Sequence, residues 1–80
     1  MSEFKDIICY VNAHDLDDNR YLGDRLVCLN ELAKAISAEI FFKYYSKIMD
    51  AVAEGDYDSL DYIMIDMAAS ANLILVLYVR

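Results

Sequence analysis

Eighty residues suffice for a single hydrophobic core and leave no room for a second. Fourteen acids against seven bases give a net charge of −7, which excludes direct nucleic-acid binding and docking on anionic lipid, since both require clustered Lys and Arg. The apolar fraction of 59% is high for so short a chain, so part of it is expected to remain outside as a contact patch, in a homodimer or with an obligate partner.

Proline is absent and glycine occurs only at Gly23 and Gly55. So little punctuation argues against an all-β fold and for an all-α one, a small bundle of three to four helices over residues 1–80 as a single domain. Residues 3–13 place Phe4, Ile7, Ile8 and Val11 at the spacing of one helical face, with Ser2 as N-cap and Glu3 in the first turn. The rival reading is a strand through Ile7–Val11, since Ile, Tyr and Val favour strands. Extended to the other end of the chain, that rival becomes an α+β fold in which terminal segments 5–11 and 72–79 pair.

Residues 14–19 read as a loop ending in a cap drawn from Asp17, Asp18 or Asn19. A second helix from about 19 to 36 carries Leu22, Leu26, Leu29, Ala33 and Ile36 at bundle-seam spacing, with Arg20–Asp24 and Glu31–Lys34 as outer ion pairs. Gly23 inside it costs about 1 kcal/mol relative to alanine, and close approach of another backbone is one reason for its presence. Ser37 restarts the helix, flanked by Ile36 and Phe41 as a hydrophobic staple. The third helix spans 38–54 with Phe41, Tyr45, Ile48 and Val52 inward; one continuous rod from 19 to 54 is the alternative. Gly55 stands where a left-handed C-cap belongs, and Asp58 or Ser59 is expected to cap the last helix. That helix is drawn through Leu60, Met64, Met67, Ala71, Ile74 and Tyr78. Its end, Leu73–Val79, is apolar on every side and reads as a buried helix end or a buried strand. A membrane span over 60–79 is disfavoured by Asp61 and Asp66.

Chemical motifs are weak. Asp15, Asp17 and Asn19 match three positions of a calcium loop, but Arg20 stands where its glycine belongs and Leu26 where its glutamate belongs. His14 is the single histidine and lies five residues after Cys9, an awkward helical offset for a nucleophile and its base; Cys28 would have to approach from the second helix. Cys9 and Cys28 could form at most one bridge and lack zinc or redox spacing, so two buried small hydrophobes are expected. With no signal-peptide pattern at the N-terminus, a cytoplasmic place is expected, in a host cytoplasm if the chain is virus-encoded. No phosphate-binding glycine loop is present. No enzymatic activity, metal or cofactor is therefore expected.

Charge distribution is the informative feature. From Ile48 to Val79 there is no Lys or Arg, while Asp50, Glu54, Asp56, Asp58, Asp61 and Asp66 all fall within that stretch. One pole should be strongly negative. The plain reading is a solvated surface with well-placed helix caps. The sharper one makes Asp50, Glu54, Asp56, Tyr57, Asp58, Asp61 and Asp66 a docking patch for a basic protein surface, imitating nucleic-acid phosphates. Tyr10, Tyr21, Tyr57 and Tyr62 fall off the seams, and tyrosines beside acids suit contact surfaces. On this basis the expected function is a non-enzymatic protein-binding module, an acidic inhibitor or antagonist. The alternative is a structural or regulatory homo-oligomer using Leu73, Leu75, Leu77 and Val79 of an apolar C-terminal helix as its self-interface.

Overall fold

The computed structural model describes residues 5–12 and 18–79, and of residues 18–21 the backbone alone. In chain order the elements are β1 (Lys5–Val11), α1 (Asp18–Ala35), α2 (Ala38–Glu54), α3 (Tyr57–Ser70) and β2 (Leu73–Val79). The all-α expectation is therefore overturned. The chain is mixed α+β, with its terminal segments paired as strands.

β1 and β2 form a parallel two-stranded sheet in the register Lys5↔Leu73 through Val11↔Val79. In β1 the helical spacing of Ile7, Ile8 and Val11 is real, but Ile7, Cys9 and Val11 also step at the two-residue period of a strand, with Ile8 and Tyr10 on its other face. The tie is broken by β2, whose β-branched and leucine-rich run supplies backbone partners along the shared edge. α3 stops where Ala71 closes its last turn, and Asn72 adopts a left-handed φ of 60° that redirects the chain into β2. The predicted seam thus holds for Leu60, Met64 and Met67, all buried, and fails beyond Ala71, because Ile74 and Tyr78 lie on a strand and are exposed.

The helical boundaries within 18–54 follow local chemistry. Ser37 separates α1 from α2: its Oγ accepts from the Ile40 N–H at 3.2 Å while its own backbone is extended. The continuous rod is excluded. Gly55, at φ 68°, ends α2 with its N–H donating to the Val52 carbonyl at 3.1 Å and the Asp56 N–H to that of Ala51 at 2.9 Å. The cap of α3 is Asp56 rather than Asp58 or Ser59. Ser2, Glu3, Phe4 and the 14–17 part of the expected loop lie outside the described residues, as do the side chains of Asp18, Asn19, Arg20 and Tyr21.

Helices cover one face of the sheet. Cys9, Val11, Leu73 and Leu75 are buried beneath them, joined by Cys28 and Leu32 of α1, Ile48 and Ala51 of α2, and Leu60, Met64, Met67 and Ala68 of α3. On α1 the buried positions are Arg25, Cys28 and Leu32, while Leu26 of the expected seam is 46% exposed and Ala33 is exposed too. A helix lying on a strand and against two other helices presents a differently centred stripe from a helix in a bundle. Cys28 is also held inward by a disulfide to Cys9, with Cα atoms 5.7 Å apart. Both cysteines are buried as expected, but they are bonded to each other and are not free thiols. Across 19 positions of chain, such a link stabilises the fold by about 3 kcal/mol through the unfolded state. Among the described residues no helix is long and apolar enough to cross a membrane.

The self-interface assigned to the C-terminal segment also changes. Alternate strand residues share a face, so Leu73, Leu75, Leu77 and Val79 all lie on the side that carries the helices. Leu73 and Leu75 are 8% and 9% exposed against the chain's own helices, and Leu77 is half-buried. Only Val79, at the end of the strand, is freely exposed.

Candidate functional site

Two groups of polar residues stand out, one turned outward and one inward. The outer group is built by the α2–α3 corner. Asp50 and Glu54 lie one turn apart and exposed at the C-terminal end of α2. Past Gly55, Asp56 caps α3, and Asp58, Tyr62 and Asp66 follow at four-residue steps on its exposed side. That spacing carries the row about 12 Å along the helix. Tyr62 is 70% exposed amid these acids, and Tyr57 is half-buried. Beside them a recess of about 400 Å³ lies between α3 and the C-terminal half of β2, lined by Asp58, Asp61, Tyr62, Ile65 and Leu77.

The carboxylates differ in what holds them there. Asp56 accepts from the Ser59 N–H at 3.2 Å and the Ser59 hydroxyl at 2.7 Å, and these bonds hold its carboxyl below the ordinary value. Asp58 lies in the first turn of α3, where negative charge complements the helix dipole. Folding accounts for both. Glu54, by contrast, occupies the last turn of α2, which has no basic residue; a negative charge there opposes the dipole at a cost of roughly 0.3–1 kcal/mol. Asp50 and Asp66 each lie a turn before a helix C-terminus. Among the described residues none of Asp50, Glu54, Asp58 and Asp66 forms an ion pair. Lys43 and Lys47 sit earlier on α2, and Lys47 lies over the Tyr44 ring at 5.8 Å.

Asp61 belongs to the inner group. Arg25 of α1, only 2% exposed, grips it with two parallel bonds: Nε to Oδ1 at 2.9 Å and Nη2 to Oδ2 at 3.1 Å. Arg25 Nη1 also donates to the carbonyl of Asn12 at 3.3 Å, just beyond the end of β1. Asn12 in turn donates its N–H and its side-chain Nδ2 to Asp24, each at 2.7 Å. Asp24 is thus engaged by Asn12 among the described groups. Burial pushes the Asp61 carboxyl above its ordinary value, and the Arg25 bonds only partly offset this. The network ties β1, α1 and α3 together at one end of the sheet. Sequence reasoning missed Arg25 and Asn12, although a signal existed: Arg25 precedes Cys28 and Leu32 by three and seven positions, the buried register of α1.

Of the seven residues expected to bind a partner, Asp50, Glu54, Asp56, Asp58 and Asp66 are exposed around the corner and along α3, with Tyr57 half-buried between them. Asp61 is turned toward Arg25 and is 20% exposed. The Glu31–Lys34 pair forms at 3.5 Å on the surface. Cys9 and Cys28 are committed to their bridge, so neither is a free nucleophile. His14, Asp15 and Asp17 lie outside the described residues; among those described, no three metal-binding side chains converge.

Fold and surface together define a small α+β domain with an acidic helical face and an apolar two-stranded sheet. No protein-family model matches the chain, and neither a curated protein nor a solved structure matches it.

Proposed function

We propose that the chain is a non-enzymatic binding module that presents Asp50, Glu54, Asp58 and Asp66, with Tyr62 among them, to a basic protein surface of the kind that receives nucleic-acid phosphates. The observation that carries this reading is the position of acids that form no ion pair among the described residues. Glu54 opposes a helix dipole, and neither Asp50 nor Asp66 caps a helix or completes a core network. Their grouping supports association with a basic partner, whose approach such a field accelerates. An exposed tyrosine supplies the desolvated contact area that charge alone lacks.

The test is charge reversal that spares the fold. Asp50→Lys, Glu54→Lys and Asp66→Lys are combined, while Asp56, Asp58 and Asp61 stay, because the first two serve the start of α3 and the third pairs with Arg25. Proteins retained by the native chain and lost by the reversed one should be basic. They should elute between low and high salt and be displaced by heparin. Retention that survives reversal, or that ignores salt, overturns the proposal.

A cytoplasmic site of action belongs to the same proposal, and the Cys9–Cys28 bridge opposes it, since a reducing cytosol keeps thiols reduced. Alkylation of the chain at lysis, with and without prior reduction, decides between the two compartments.

A further inference from the structure

The sheet carries an apolar face that its own helices do not cover. Ile8 and Tyr10 of β1 and Ile74, Val76 and Tyr78 of β2 all point away from the helical layer. Ile8 is 52% exposed, Tyr10 59%, Ile74 45% and Tyr78 51%. Tyr10 and Tyr78 are register partners and stack with ring centroids 5.4 Å apart. Parallel sheets with an open face are rare, because strands that read as near-continuous apolar runs are normally buried on both sides.

We infer that this face is covered by a second copy of the chain, packed sheet against sheet. Area is the first argument. The exposed parts of these side chains come to on the order of 500 Å² per copy, so two faces bury about 1,000 Å², the lower bound of a specific interface. Val27, 66% exposed, stands beside Ile8 and Tyr10 in a recess along β1 that Asp24 and Glu31 also line, so the apolar patch ends at this acidic rim. Charge is the second argument. Copies carrying −7 each repel one another at the acidic corner, whereas the described strand positions of this face bear a single charge, Asp6, at its N-terminal end. A basic partner is drawn to α2 and α3 and leaves the face free. With strands antiparallel across a two-fold axis near Ile8, the Asp6 carboxylates lie at opposite ends, each near the tyrosine pair of the other copy. Both acidic corners then face outward. The exposed stripe Phe42, Tyr45 and Met49 on α2 is the competing self-contact and serves as the control.

Sedimentation equilibrium of the full chain tests this without any partner. The mass should rise from one copy to two over roughly 1–100 μM, as expected for a weak interface of this size, and the dimer should hold or tighten in high salt. Ile74→Lys should raise the dissociation midpoint at least about tenfold, with the circular dichroism spectrum unchanged. Tyr78→Ser gives the same readout if the lysine variant does not fold. Phe42→Lys should leave the midpoint where it was. A single-copy mass across the whole range assigns the face to some other occupant and overturns the inference. Loss of the dimer in Phe42→Lys but not in the sheet variants overturns it as well.

Discussion

Removing the Asp61 carboxylate should destabilise the domain more than any other change at the acidic corner. Arg25 is 2% exposed, so Asp61→Ala leaves a guanidinium in the core with its bidentate partner gone. Breaking a buried pair from one side costs about 3–5 kcal/mol. An 80-residue domain has a total stability of roughly 4–12 kcal/mol, so the loss is a large fraction of the whole. With a urea dependence of about 1 kcal/mol per molar for so small a chain, the unfolding midpoint should fall by some 3 M or disappear. The reverse deletion should be milder. Arg25→Met removes the deeper charge and leaves Asp61, 20% exposed, able to turn toward water. Combining Arg25→Met with Asp61→Leu should recover most of the loss, because an apolar pair of similar volume replaces the ions. Urea unfolding of the three variants closes the cycle. A loss below about 1 kcal/mol for Asp61→Ala, or a larger loss for Arg25→Met, refutes the reasoning that Arg25 depends on this partner.

Gly23 has no atom within 4 Å of an added Cβ, so Gly23→Ala should raise stability by about 0.5–1 kcal/mol in urea unfolding and remove the close-approach explanation for that glycine. Reduction of the Cys9–Cys28 bridge should cost about 3 kcal/mol, read as a lower melting temperature in a thiol reductant and as no change in a Cys9→Ala/Cys28→Ala chain. Acid should act on two carboxyls in opposite directions. Asp56 contributes stability that is complete above its ordinary value of 3.8 and is lost as pH falls through its lower native value, so the deficit of Asp56→Ala should shrink on acidification. Asp61 is shifted the other way, raised by burial, so carboxyl NMR titration should show it protonating before Asp56 as pH falls.

Local chemistry is legible in the amino-acid sequence by itself. Ser37 as a restart, Gly55 as a left-handed stop, the extents of α2 and the buried run Leu60, Met64, Met67 all depend on residues within a few positions of one another. Capping and one-face burial are short-range, so the order of residues suffices to determine them. The acidic grouping is equally legible, since a stretch without Lys or Arg remains acidic in any fold.

Only the tertiary structure decided the rest. Ile7–Val11 satisfies both helical and strand periods, and the choice falls to Leu73–Val79 at the far end of the chain, whose backbone groups pair with it. The same long-range contact turns Leu73 and Leu75 inward and sets Ile74 and Tyr78 outside. It also joins Cys9 to Cys28, while the packing of α1 against α3 converts Asp61 from a surface charge into the counterion of Arg25. Such partners are distant along the chain and meet only once the helices have brought the two strands together, so local spacing offers the pairing of 5–11 with 72–79 as an alternative and cannot choose it.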